Sequence, residues 1–264
     1  MNVIVAYKWA ADPQAAVVGP DGSVDLGRAR PTVSEYDAVA IQVGREVADA
    51  MGAELVGITV GGPDSGTPMA TKAALARGLD RVVVLSDVAL QRLGTTATAQ
   101  LLGALVGIVG DTRLVLAGDC STDVAGRMVP AVLGGVLGWP AVTEATSVCP
   151  DGADLVVARA LDGGRQWLRV AQPAVVALAS DAAKPTAPGM KDILSAGKKP
   201  VRLVALAQTG VIPTPDGTVV AMGRPAGPVR AGAVVDAVDP DAAAAELVDT
   251  LRAAGLVAVG SAGR

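Results

Sequence analysis

Between an apolar run and an Ala/Leu/Gly-rich stretch, the chain reads Gly118-Asp119-Cys120-Ser121-Thr122-Asp123-Val124-Ala125-Gly126. Small and hydroxylated residues between a buried strand and a helix N-terminus leave backbone N–H groups for an anion such as phosphate. In an open parallel sheet that crevice is where ligands sit. The loop has no lysine and no G-x-x-x-x-G-K-[ST], which excludes a P-loop ATPase. An ordinary capped turn, with Thr122 or Asp123 as the cap, is the competing reading. A second turn, Val60-Gly61-Gly62-Pro63, follows another apolar run and could face the same crevice. Tyr36 follows a capping serine and reads either as a partly buried core residue or as a ligand contact. Cys120 has no histidine to activate it and reads as a passive thiol. Asp119 and Asp123 could pair as carboxylates, but capping accounts for them better.

The wider composition narrows the chemistry further. The 264 residues include no histidine and no phenylalanine, with three tryptophans and two tyrosines. Imidazole catalysis and His-ligated metals are therefore excluded. A net charge of −4 argues against a general nucleic-acid binder, and so few aromatics offer little stacking surface. Two cysteines, Cys120 and Cys149, are too few for a disulfide scaffold. The opening MNVIVAYKWA begins a strand rather than an export signal, and no uncharged apolar stretch reaches the ~20 residues of a membrane span. A cytoplasmic protein is expected.

Short Val-rich runs alternating with Ala-rich stretches predict a parallel sheet covered by helices. Strands are expected over 2–7, 54–60, 81–85 and 113–117. Helices are expected from Ser34 as N-cap to about 51, then over 67–77, 95–109 and about 125–137. After Gly138-Trp139-Pro140 the rhythm changes. Residues 141–148, 154–161, 166–171 and 174–180 read as strands without helices between them, with turn signals at Asp151-Gly152 and Asp162-Gly163-Gly164. A further strand is expected over 201–206. The fold class is thus α/β: an open, mostly parallel, Rossmann-like sheet with helices on both faces, extra antiparallel strands and a C-terminal arm with one helix.

Two segments stand apart. Residues 181–200 read as a Pro/Gly/Lys loop in which Lys191, Lys198 and Lys199 surround an apolar triplet, Met190, Ile193 and Leu194. Charged flanks around adaptable anchors describe a docking surface; a solvated loop whose apolar residues tuck inward is the alternative. Residues 208–236 are low in complexity, and a helix follows from Pro240 over 241–254. This arm cannot form a core of its own. The expected division is a nucleotide-binding domain over 1–207, including the loop 181–200, and an arm over 208–264.

Taken in order, several segments resemble the β subunit of electron-transfer flavoproteins, the FixA-like family. Val5-Ala6-Tyr7-Lys8-Trp9 with Asp12 is similar to the family's V-x-V-K-x-V-x-D start. Val33-Ser34-Glu35-Tyr36-Asp37 with Ala40 resembles its I-N-P-Y-D-x-x-A segment. Thr59 to Pro63, Leu75 to Asp80, Gly118 to Pro130, Leu137 to Pro140, Asp162-Gly163-Gly164, Pro173 to Val176 and Ile193 to Lys199 continue the series. The resemblance implies a heterodimer with an α subunit that holds most of an FAD, and a structural AMP in the β subunit. Carried over by position, the AMP contacts are Ala6, Ser34, Glu35, Tyr36, Asp37, Gly61, Ser121, Thr122, Asp123, Val124, Ala125, Gly126, Arg127 and Met128. Tyr36 takes the aromatic position beside the flavin, and Met190 that of the leucine anchor in the recognition loop. The arm's helix is expected to pack on the α subunit.

The implied role is electron transfer between an acyl-CoA-type or other flavin dehydrogenase and a quinone oxidoreductase or other acceptor, with no side-chain catalysis of its own. Three departures stand out. The loop lacks the D-x-D…Q core and carries Arg127-Met128, Ser34 replaces an Asn, and Ala160 stands where a partner-facing Glu is common. The first leaves the nucleotide open between AMP, a second FAD as in bifurcating complexes, and none. A nucleotide sensor without flavin is the leading alternative, and a nucleotidyl-transfer enzyme the third.

Overall fold

Alternation within β1 (Asn2–Ala6) divides the interior in two. Val3 and Val5 point to one face of the sheet and Ile4 and Ala6 to the other, and all four are buried. Strand side chains alternate with period two, so a strand apolar at every position must be covered on both sides. The computed structural model describes residues 1–91, 93–213 and 239–257, together with 217, 220, 227 and 232–235. Contacts divide the chain into two units, Met1–Gly223 and Arg224–Arg264.

Four short strands follow β1 in the first unit: β2 (Trp9–Ala11), β3 (Val17–Val18), β4 (Val24–Asp25) and β5 (Pro31–Val33). They pair as two small antiparallel ladders, β2 with β5 and β3 with β4. Helix α1 (Glu35–Met51) begins with Glu35 and Asp37 in its first turn, complementing the helix dipole, and ends on Gly52 in the left-handed conformation. The core alternation continues through β6 (Glu54–Gly61), α2 (Pro68–Leu75), β7 (Arg81–Ser86), α3 (Thr95–Val109), β8 (Thr112–Gly118) and α4 (Val129–Leu137). Strands β9 (Ala141–Asp151), β10 (Asp154–Leu161), β11 (Gly164–Ala171) and β12 (Ala174–Leu178) come next, then α5 (Met190–Ala196) and β13 (Val201–Val204).

Nine strands form one sheet in the order β11-β10-β9-β12-β8-β1-β6-β7-β13. All neighbours from β9 to β13 run parallel, and β9-β10-β11 form the expected antiparallel extension. Residues of α1, α2 and α5 pack with Val3 and Val5 on one face. Residues of α3 and α4 pack with Ile4 and Ala6 on the other. The predicted fold class is what the chain adopts.

Three local readings change. The helix expected from 125 starts at Val129, because Ala125 and Arg127 hold left-handed backbone (φ 53° and 54°) that no α-helix tolerates. Neither Thr122 nor Asp123 therefore caps it. The segment 181–200 is not all loop. Gly189 opens α5, and the Asp192 carboxylate accepts the Gly189 N–H at 2.9 Å, half of a capping box. The last strand stops at Val204, and a 3-10 turn takes Leu206–Thr209.

In the second unit, α6 (Pro240–Ala253) starts on Asp239, whose carboxylate accepts the Asp241 N–H at 3.1 Å. Leu247 and Val248 on it are exposed. Of the low-complexity stretch 208–236, residues 214–216, 218–219, 221–226, 228–231 and 236 lie outside the described residues.

Candidate functional site at the strand switch point

From β1 the chain adds β6, β7 and finally β13 on one side, while β8 and β12 are laid down on the other. The order reverses between β1 and β8, and loops leaving neighbouring parallel strands there diverge to opposite faces and open a crevice. Residues after Ala6, Gly61 and Gly118 all emerge at this same edge, because the three strands are parallel. Both glycine turns named from the sequence therefore reach one place.

Asp37 ties the edge together. Its Oδ2 accepts the Lys8 N–H at 2.8 Å, and its Oδ1 accepts the Gly118 N–H at 3.0 Å. One carboxylate from the first turn of α1 thus fastens the ends of β1 and β8. Burial pushes its pKa up to about 7, against the opposing effect of the two N–H donors. Gly118 is required here for space: a Cβ at that position would stand 2.6 Å from Tyr36 Cβ and 2.7 Å from its carbonyl carbon. Lys8 is held at its other end too, its Nζ lying 2.7 Å from Asp123 Oδ2. Burial works against ionisation of Asp123, but Lys8 outweighs it and the carboxyl lies below its usual range. Sequence reasoning gave Lys8 no role of its own, since its partner lies 115 positions away.

Ser34 occupies the N-cap of α1 as expected, yet its hydroxyl makes no cap bond. Ser34 Oγ, Asp119 Oδ1 and Thr122 Oγ1 are all sealed from solvent without a hydrogen-bond partner. They are three of seven such atoms among the described residues, and these three belong to the start of α1 and the loop after β8, where a ligand could supply the missing partners. Beyond them the 118–128 loop turns in alternating hands. Ala125 and Arg127 have positive φ, and Gly126 and Met128 do not. Left-handed Arg127 followed by right-handed Met128 is the kind of pair in which successive N–H groups can converge on an anion. Those of Gly126, Arg127 and Met128 take no hydrogen bond among the described residues.

Asp119 and Asp123 do not face each other as a pair. Asp123 goes to Lys8, and Asp119 Oδ2 lies 3.8 Å from Arg127 Nη1. Cys120 is buried against the half-buried Tyr36. Burial pushes its thiol up, only partly offset by a hydrogen bond with the Tyr36 hydroxyl, so it stays protonated at neutral pH. Glu35 is exposed, as are Val124 and Met128.

The docking residues occupy a different place, on α5. Met190, Ile193 and Leu194 are exposed there, Met190 by 73%, while Ala196 is buried and anchors the helix. Lys191 and Lys198 are exposed. Lys199 is turned inward, its Nζ donating to the carbonyls of Leu75 at 3.1 Å and Leu79 at 2.7 Å. An open depression of about 410 Å³ lined by Pro63, Gly66, Ser86, Asp87 and Leu203 sits at the ends of β7 and β13, against the turn that follows β6. Among the described residues there is no cluster of metal-binding side chains and no helix long and apolar enough to cross a membrane.

The sequence model of the electron transfer flavoprotein domain matches residues 24–209, a match consistent with a β-type subunit. That span takes in α1, both glycine turns, the 118–128 loop and α5.

Proposed function

The chain belongs to the electron transfer flavoprotein family, and on that premise we propose that it is the β-type subunit of a cytoplasmic heterodimer carrying electrons. AMP is held at the β1/β8 switch point, and the FAD is held mainly by an α-type partner. The three buried, unpartnered oxygens carry this reading. Ser34 Oγ, Thr122 Oγ1 and Asp119 Oδ1 supply two donor–acceptors and an acceptor, the set that ribose hydroxyls and an adenine edge require. The nest at Gly126–Met128 supplies N–H groups for the phosphate. Ala6 and Gly61, at the ends of their strands, leave the crevice floor free of bulky side chains.

The nucleotide's part is structural, fastening loops that Asp37 and Lys8 already draw together. Tyr36, held against Gly118, forms one wall of the flavin site. Bound flavin takes up and passes on electrons, and the protein's contribution is placement and environment. Met190, Ile193 and Leu194 on α5 meet the donor, an acyl-CoA-type or other flavin dehydrogenase; a quinone oxidoreductase or other acceptor takes the electrons onward.

Co-expression with an α-type chain tests this. The purified complex is expected to be yellow, to elute as a heterodimer, and to release one AMP and one FAD on denaturation. Two FAD per heterodimer would assign the site to a bifurcating complex. A colourless homodimer that binds adenine nucleotide would make the chain a sensor, and absence of any adenylate would remove the site assignment.

A further inference from the structure

Two non-glycine residues on the β8 side of the crevice hold left-handed backbone, and their side chains meet. Arg127 (φ 54°) lies in the loop, and Glu144 (φ 57°) lies in β9. Against β12, β9 carries one extra residue at this point, since Val176 pairs with Val142 but Leu178 with Ala145. Such a bulge re-aims a side chain. Arg127 Nη1 is 3.7 Å from Glu144 Oε1 and 3.8 Å from Asp119 Oδ2. Non-glycine residues persist in this backbone region where surrounding structure enforces it, and such outliers gather at ligand clamps.

The charge balance shows what the pair can do. Around the loop stand the carboxylates of Asp119, Asp123 and Glu144, with that of Asp37 buried at the strand ends, against Lys8 and Arg127. Lys8 is committed to Asp123 at 2.7 Å. Arg127 is more than half exposed and held only at distances well beyond a direct charge-assisted hydrogen bond, about 2.7–2.9 Å. Pairs of that kind are weak and screened by water. A phosphate offers the same guanidinium a bidentate partner of greater charge.

We infer that Arg127 and Glu144 form an exchangeable latch, in which Glu144 and the phosphate of an adenine nucleotide compete for one guanidinium, so that the site selects phosphorylated nucleotides over the bare nucleoside. The inference rests on the adenine-nucleotide reading above and adds the residues that set its selectivity. Asp119, whose Oδ1 has no partner, stays in place as an acceptor when Arg127 leaves.

Calorimetric titration of the full chain, freed of nucleotide, with AMP and adenosine in parallel tests it. Arg127→Asn removes the charge and keeps a residue type at home in left-handed backbone, and a thermal melt verifies folding. AMP affinity should fall about tenfold in R127N, with adenosine affinity within twofold of the parent. Glu144→Gln removes the competitor and should tighten AMP about threefold without affecting adenosine. The double variant should match R127N. An unchanged AMP-to-adenosine ratio in R127N, or weaker AMP binding in E144Q, overturns the latch while leaving the nucleotide site standing. A parent chain that binds neither ligand removes the nucleotide reading and the latch with it.

Discussion

The 118–128 loop and α5 use opposite means to hold themselves ready. The loop is polar and strained, fastened from outside by Asp37 and Lys8, with buried oxygens left unpaired. Helix α5 is relaxed, seated by one small residue, Ala196, with its apolar side chains turned to solvent. Unpaired polar atoms in a crevice are shaped for a small ligand with matching groups. Exposed apolar side chains on a rigid turn are shaped for a protein surface that will cover them. On the proposed function, the first would hold the nucleotide and the second would meet a partner protein.

The sharpest break would come at Asp37. Replacing it with Ala leaves the Lys8 and Gly118 N–H groups without acceptors, and a buried orphan donor costs about 1–3 kcal/mol. A loss of about 3 kcal/mol in denaturant unfolding is expected, together with loss of nucleotide. Met190→Ala should do the reverse. Partner affinity should fall roughly thirtyfold, about 2 kcal/mol for an anchor of this kind, with the melt and FAD content unchanged. A large fall in melting temperature with normal partner-coupled activity would place Met190 in the fold instead.

A smaller effect follows from the buried carboxyl. The pKa of Asp37 is raised from its ordinary carboxylate value to about 7, so between those limits the folded protein binds more protons than the unfolded chain. Its contribution to stability is full below the ordinary carboxylate pKa and is lost as pH rises through about 7. The slope is at most about 1.4 kcal/mol per pH unit. Urea titrations at pH 5, 6, 7 and 8 should show this decline in the parent chain and a flatter profile in Asp37→Asn. A steeper decline in the variant would contradict it. The smallest effect is expected at Lys199. Lys199→Met loses hydrogen bonds to the carbonyls of Leu75 at the end of α2 and Leu79 beyond it, which water can partly replace, costing about 1 kcal/mol. Partner affinity should change less than with Met190→Ala, because the anchors remain.

Much of the fold was legible because it depends on local patterns. The helix over Thr95–Val109 and the strand over Asp154–Leu161 have the boundaries that periodicity and turn residues predict. Legibility failed where backbone hand or distant partners decide. Nothing in Val124-Ala125-Gly126-Arg127 announces two left-handed residues, and alanine in particular argues for helix. Helix α5 is only seven residues long and sits among Pro, Gly and Lys, so no period could establish it. Serine at position 34 reads as a cap, and its position is right, but the direction of its hydroxyl depends on the crevice. Asp37 could be named from resemblance as a nucleotide neighbour. Its grip on Gly118 spans 81 positions and has no sequence signal.

The place of β12 in the sheet has a consequence for how the chain is made. This strand sits between β8 and β9, so the edge of β8 stays open until residues 174–178 leave the ribosome. By then β1, β6, β7 and β8 can already have paired, exposing an apolar template on which other nascent chains could add strands. Synthesis that stalls after α4 would strand the protein in that sticky form, whereas a pause after β12 would find the β8 edge covered and only the β7 edge waiting for β13.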